Sequence, residues 1–312
     1  MDHRTPRALD RTTTLGPDAP AAEASLDAPD PVEAGPRGPK ITVITVVYND
    51  RDGFSRTAHS VLEQAGADWE WVVIDGGSTD GTRELVMAHA DRTSFWCSER
   101  DGGIYDAMNK GLARANGEFV VFMNAGDRFA GPDSLKRVAE AIRRAGPGAG
   151  MVLGAARFEL TPDYSYVQAP RPLDPYVLHS LPTSHQAMYF RTELHRRAPF
   201  DTRVRIAADY DAICRMYRIN PEAAYVPEVV AVVWRGLESN SIRHPFANMR
   251  DMAATQRRVL RLGRARVLAS MAKRALPVFA FRLMSHRWSA PLTARLVTAL
   301  RPEPSGAEGG RG

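Results

Sequence analysis

The chain has 312 residues, 44% of them apolar and 25% charged, enough for one α/β domain with a buried core and some extra sequence. Its two cysteines, Cys97 and Cys214, lie far apart in no CxxC spacing, which argues against a disulfide framework or a thiol-built zinc site and fits a reducing cytosol. The net charge of +5 is unevenly placed: residues 243–301 hold thirteen Lys/Arg against one acid, Asp251, so nucleic acid and anionic membrane both arise as partners.

Residues 1–38 are rich in Ala, Pro, Asp and Gly and show no hydrophobic period, so they are expected to be disordered, as are residues 302–312. The first thirty residues contain no apolar core of a secretory signal. No apolar run approaches the roughly eighteen residues needed to span a bilayer. Residues 39–245 read as one folded domain and residues 246–301 as a basic helical segment.

From Lys40 the texture changes. Ile41 to Tyr48 is a β-branched run of the length of a buried parallel strand. Phe54, Ala58, Val61, Leu62 and Ala65 then recur at helical spacing. Trp71 to Ile74 is a second strand, followed by a helical pattern from about Thr82 to Ala90. Phe95 to Cys97 is a brief strand, and Ile104, Ala107, Met108, Gly111, Leu112 and Ala115 follow the helical period. Phe119 to Met123 and Leu135, Val138, Ala139, Ile142 supply a further strand and helix. This alternation predicts an open, mostly parallel α/β sheet with flanking helices. In such sheets ligands sit beyond the carboxyl ends of the strands.

Those ends are polar. The first strand runs into Asn49 and Asp50, the second ends in IDGGSTDGT with Asp75 at its tip, and the fourth ends in FMNAGD with Asn124 and Asp127. A carboxylate at a rigid strand tip can accept hydrogen bonds from a base or ribose, and the glycines after Asp75 let a ligand approach the backbone. Asp80 reads as a turn and helix-cap residue. No GxGxxG follows the first strand and no GxxxxGK[ST] occurs, which disfavours a dinucleotide fold and a P-loop enzyme.

ITVITVVYND, VVIDGGSTDGT and ERDGGIYDAMNKGLARANGEFVVFMNAGD, in this order and spacing, resemble the motifs of family 2 glycosyltransferases with the GT-A fold. The likeness runs from Lys40 to about Ser241 and is nearest to bacterial members that build capsule, exopolysaccharide or cell-envelope glycolipid. It implies that Thr45, Val47, Asn49, Asp75 and Asn124 bind the nucleotide and that Asp106, Asn109 and Lys110 face the sugar diphosphate. Asp127 matches the aspartate of the DxD segment that carries a divalent metal, Mg2+ or Mn2+. Asn124 and Gly126 stand where carboxylates are common in that segment, Gly76 where a second aspartate is frequent, and Met108 where many members carry arginine.

In the second half, LPTSHQAMYF and FDTRVRIAADYDAICRMY resemble acceptor-side motifs of the same subfamily. The resemblance makes Asp209 the general base, with His185, Gln186 and Asp211 orienting donor or acceptor, and acceptor pockets in loops such as 160–182. Arg235 is a candidate diphosphate contact and His244 an additional metal ligand. The expected function is inverting transfer from a nucleotide-sugar donor, UDP favoured, to a hydroxyl of a glycan or lipid-linked acceptor. A nucleotide-sugar-binding protein without catalysis is the other reading, suggested by the depleted DxD segment. Leu276, Val278, Phe279, Phe281, Leu283 and Met284 beside Lys273, Arg274, Arg282 and Arg287 suit either an interfacial helix on anionic lipid or packing onto the catalytic domain. Sparse aromatic residues disfavour nucleic acid there. The expected location is the cytoplasm, with peripheral association at the inner face of the plasma membrane.

Overall fold

The computed structural model describes residues 39–161, 163–234 and 243–285, with side chains described as far as Ala275. Strand β1 (Ile41–Val47) is buried along its whole length, because its β-branched residues feed two cores at once. Ile44 and Val46 enter one, and Ile41, Val43 and Val47 enter the other. Beside it lie β2 (Trp69–Asp75), β3 (Phe95–Ser98) and β4 (Phe119–Phe122), in the parallel order β3-β2-β1-β4. The strand order reverses between β1 and β4, which opens a crevice at their carboxyl ends.

Helices cover both faces. On one, α1 (Arg51–Leu62) buries Phe54, Ala58 and Val61, and α4 (Ser134–Ala145) buries Leu135, Val138 and Ile142. The cap residue Asp50 starts α1 by accepting from the Gly53 amide at 2.9 Å. The short α2 (Thr82–Met87) adds Val86 to the same core. Asp80 accepts from the Thr82 amide at 3.0 Å and so serves the start of α2, in the way its sequence suggests. On the opposite face α3 (Ile104–Arg114) lies so close to β1 that a Cβ on Gly111 would come within 2.4 Å of Ile44 Cγ2.

The second half of the sheet is mixed. Strand β8 (Met188–Arg191) joins β4 antiparallel, β6 (Met151–Thr161) joins β8 antiparallel, and β9 (Ala223–Trp234) joins β6 in parallel. Strand β5 (Arg128–Phe129) pairs β9, and β7 (Tyr164–Gln168) pairs the outer half of β6. The parallel arrangement thus holds for β1 to β4 and gives way where β8 inserts. The region 160–182 contains the β6–β7 turn, β7 and the short α5 (Leu173–Tyr176).

After β8 come α6 (Thr192–Arg197), α7 (Ala208–Ile219), α8 (Pro245–Arg258) and α9 (Arg264–Ser285). No described helix is long and apolar enough to cross a membrane. The two terminal tails, Arg235, Arg287 and the side chains of Leu276, Val278, Phe279, Phe281, Arg282, Leu283 and Met284 lie outside the described residues.

On α6, His195 is wholly buried among Phe122, Phe190 and Phe200, with ring centroids 4.9 to 5.4 Å away. Neither ring nitrogen has a hydrogen-bond partner among the described residues. Burial pushes this imidazole down to about 4, from an ordinary value near 6.5. Folding must then keep the ring neutral while the unfolded chain protonates it. Stability is therefore lost as pH falls from about 6.5 to about 4, by about 3 kcal/mol in all. Urea unfolding at pH values either side of this window should show that extra loss in the natural protein and not in His195→Phe. Equal losses in both proteins would dismiss His195 as the cause.

Candidate active site

The crevice between the tips of β1 and β4 has a volume of about 320 Å3, with Val46, Val47, Tyr48, Asp101, Asn124 and Ala125 among its lining residues. Tyr48 is 65% exposed at its mouth. The turn after β4, which carries Asn124 and Asp127, is pinned by one buried hydroxyl. Thr57 Oγ1 donates to the Asp127 carbonyl at 2.6 Å and accepts from the Gly126 amide at 3.1 Å. Sequence reasoning passed over Thr57; its signal was a hydroxyl on the buried stripe of an otherwise apolar helix.

Asp127 is buried, and its carboxylate accepts from Gln186 Nε2 at 2.6 Å and from the Trp234 amide at 3.2 Å. The neighbouring His185 reaches elsewhere. Its Nε2 stands 3.3 Å from Asn124 Nδ2, and its Nδ1 stands 3.5 Å from Asp209 Oδ2. Asn124 Oδ1 is buried without a partner among the described residues, a buried acceptor that a ligand donor would satisfy. The adjacent pair His185–Gln186 therefore gathers the β4 tip and the start of α7 into one place.

Asp209 lies in the first turn of α7, where unpaired backbone amides and the helix dipole favour a carboxylate. Its Oδ1 accepts from the Tyr210 amide at 2.7 Å, and its side chain keeps 18% exposure. The loop leading into α7 is anchored on two sides: Tyr105 donates to the Ile206 carbonyl at 2.8 Å, and the Ile206 amide donates to Asp251 at 3.2 Å.

Several of the expected ligand residues are held by contacts within the protein. Asp75 is fully buried, and its carboxylate accepts from Ser78 Oγ and Ser98 Oγ at 2.5 Å each and from the Ser78 amide at 3.1 Å. It organises the loop behind the crevice wall. Thr45 also faces the core, where its hydroxyl accepts from the Trp71 indole at 3.0 Å. Asn109 commits its amide to Phe200, accepting and donating at 2.9 Å each. Asp211 is fully buried in ion pairs with Arg215 at 2.8 Å and Arg258 at 2.6 Å, and it accepts from Thr255 at 2.9 Å. The bonds to Arg258 and Thr255 join α7 to α8. Lys110 pairs with Glu99 at 2.8 Å, which with neighbouring acids raises its basicity, and Asp106 accepts from the Gly102 amide at 2.9 Å.

Other residues stay near the crevice. Val47 lines it. Asn49 joins the tips of β1 and β2: its amide donates to Ser78 Oγ at 2.8 Å, and its Oδ1 accepts from the Thr79 amide at 2.9 Å. At Gly76 an added Cβ would fall 2.7 Å from Asp101 Oδ2. The carboxylate of Asp101 thus fills the space that a side chain at position 76 would need.

Among the described residues no three His, Cys, Asp or Glu side chains gather as a metal cage, and His244 is an exposed residue at the start of α8. Asp127 is the carboxylate that the β4 tip carries. Its bonds to Gln186 and Trp234 fix its orientation, as outer partners do for a metal ligand. A single held carboxylate fits a hard ion whose remaining ligands are phosphate and water.

The sequence profile of the family described as Glycosyl transferase family 2 matches residues 42–219. An uncharacterized glycosyltransferase of Mycobacterium tuberculosis is 36% identical over 188 residues, covering 57% of this chain and 68% of the relative. A PGL/p-HBAD biosynthesis glycosyltransferase of Mycobacterium bovis is 31% identical over 199 residues, covering 62% of this chain and 76% of its own. Two solved structures share the fold. TarS 1–349 of S. aureus, in complex with UDP-GlcNAc, has a TM-score of 0.60 at 20% identity, covering 84% of this chain and 79% of that one. The mannosyltransferase PcManGT of Pyrobaculum calidifontis, in complex with GDP-Man and Mn2+, has a TM-score of 0.54 at 24% identity, covering 85% and 80%.

Proposed function

The chain belongs to glycosyl transferase family 2, and from that premise we propose an inverting transfer from a UDP-sugar to a hydroxyl of a cell-envelope glycan or glycolipid, with Asp209 as general base. The observation that carries this reading is the convergence of the donor crevice, Asp127 and Asp209 through His185 and Gln186. A nucleotide lies along the tips of β1 and β4, with Tyr48 offering a ring face at the crevice mouth. Asn124 Oδ1 receives a hydrogen-bond donor from the sugar.

In the reaction the acceptor oxygen attacks the anomeric carbon from the face opposite the diphosphate. The new carbon–oxygen bond forms as the bond to the diphosphate breaks, and the electron pair leaves on the phosphate oxygen. The acceptor proton passes to the Asp209 carboxylate, which Tyr210 and His185 hold in place. Asp127 holds the divalent ion, Mg2+ or Mn2+, whose chemistry is to neutralise charge on the diphosphate. The cell-envelope acceptor is supported by the mycobacterial relative named for PGL/p-HBAD biosynthesis, and the UDP donor by the TarS complex.

Thermal melting with UDP-GlcNAc and GDP-mannose, with and without Mn2+, tests the donor site. A saturating cognate donor should raise the melting temperature by about 5 °C. Chromatography of the mixture should show steady release of the nucleoside diphosphate. If a broad set of nucleotide sugars neither shifts melting nor is cleaved, the donor reading fails.

A further inference from the structure

Helices α8 and α9 present two different faces. The inner face grips the catalytic domain: Arg258 and Thr255 bind Asp211, and Gln256 donates to the Leu178 carbonyl at 3.1 Å and to Ser270 at 2.9 Å. The outer face is a field of positive charge. Arg257, Arg261, Arg264, Arg266 and Lys273 are all exposed, and none has an acidic partner among the described residues. From Arg243 to Ser285 the sequence contains one acid, Asp251, which receives the Ile206 amide.

Helix stability does not explain this arrangement. Arg264 and Arg266 occupy the first turn of α9, which contains no acid, so their charges oppose the positive end of the helix dipole. The positive potential extends to His179. Burial lowers its basicity most, and the charges of Lys273, Arg274 and Arg266 lower it further. One turn on from Arg264, on the same side of α9, Leu268 is 65% exposed. No aromatic residue occurs from Arg257 to Ala275, so the patch has no stacking platform for bases. Cations around an exposed aliphatic residue suit lipid headgroups above acyl chains.

We infer that the outer surface of α8 and α9, with Arg264 on one side of α9 and Arg266 and Lys273 on the other, docks on an anionic lipid bilayer. The inner face of α8 binds the helix that carries Asp209, and α9 is joined to α8 through Ser270 and Arg274. The docked surface and the acidic group at the crevice therefore belong to one packed unit, and the bilayer would set the height at which that group works. The docking itself requires no assumption about sugar transfer.

The test is flotation of the full chain with vesicles that are one third phosphatidylglycerol, and with vesicles of phosphatidylcholine alone. The protein should float with the anionic vesicles, not with the zwitterionic ones, and should be released at roughly 0.5 M salt. Each surface cation changes partitioning about fivefold, so R264Q/R266Q/K273Q should lower binding about a hundredfold. These exposed side chains hold no described partner, so the variant should melt at or above the temperature of the natural protein. Its binding of nucleotide sugar should be unchanged. Unaltered flotation of the variant would overturn the inference, and so would equal binding to phosphatidylcholine alone. Capture by duplex DNA at salt that releases the vesicles would overturn it in favour of a nucleic-acid partner.

Discussion

Asp209→Asn is expected to lower sugar transfer by about a hundredfold to ten-thousandfold while nucleotide-sugar affinity stays within about twofold. The substitution keeps the size of the side chain and its bond from the Tyr210 amide, and it removes the carboxylate proposed to take the acceptor proton. The donor crevice is lined from β1, β4 and the start of α3, so it should bind as before. Product formation and calorimetric donor binding, measured on the same preparation, separate the two effects. Turnover at the natural rate in this variant would remove Asp209 from the mechanism.

Two residues along, Asp211→Ala should act on stability. In the folded protein this buried carboxylate meets Arg215, Arg258 and Thr255, and Arg258 also reaches Asp201 at 3.3 Å. Arg203, closest beside Asp201, holds that carboxyl well below its ordinary range with help from Arg258. Removing Asp211 leaves two guanidinium groups around a site without an anion. A broken buried pair of this kind costs about 3–5 kcal/mol. Urea unfolding reads that loss directly. A loss below about 1 kcal/mol would mean that the helices are joined mainly by apolar packing.

The contrast between these neighbours explains much of what the sequence could and could not reveal. Asp209 and Asp211 share a motif and a helix turn. Two residues at about 100° each place them on opposite sides of α7, one toward the crevice and one toward α8. The sequence marks both as acids at a helix start. Which of them meets a partner depends on Arg258, 47 residues away. Asn109 was obscured in the same way, since its amide answers a backbone group 91 residues further on.

Strands β1, β2 and β4 were legible because their apolar runs are short, carry β-branched residues and are buried on both faces. The later strands carry no such mark. Half of β6 is buried on both faces and half is an exposed hairpin arm, so no single period describes it. Asp75 illustrates the limit at a strand tip. The position was readable from the pattern, but the direction of its carboxylate depends on Ser98, which arrives from the end of the next strand. Gly76 misled in the opposite sense: a missing aspartate looked like a loss, whereas Asp101 from another loop occupies that space.

The dipeptide His185–Gln186 sits in a single short turn, yet its two side chains diverge toward different acids. In the proposed mechanism that turn would set the spacing between the acid beside the departing phosphate and the acid beside the incoming hydroxyl. An extra residue inserted between the two would leave each acid intact and put them out of step.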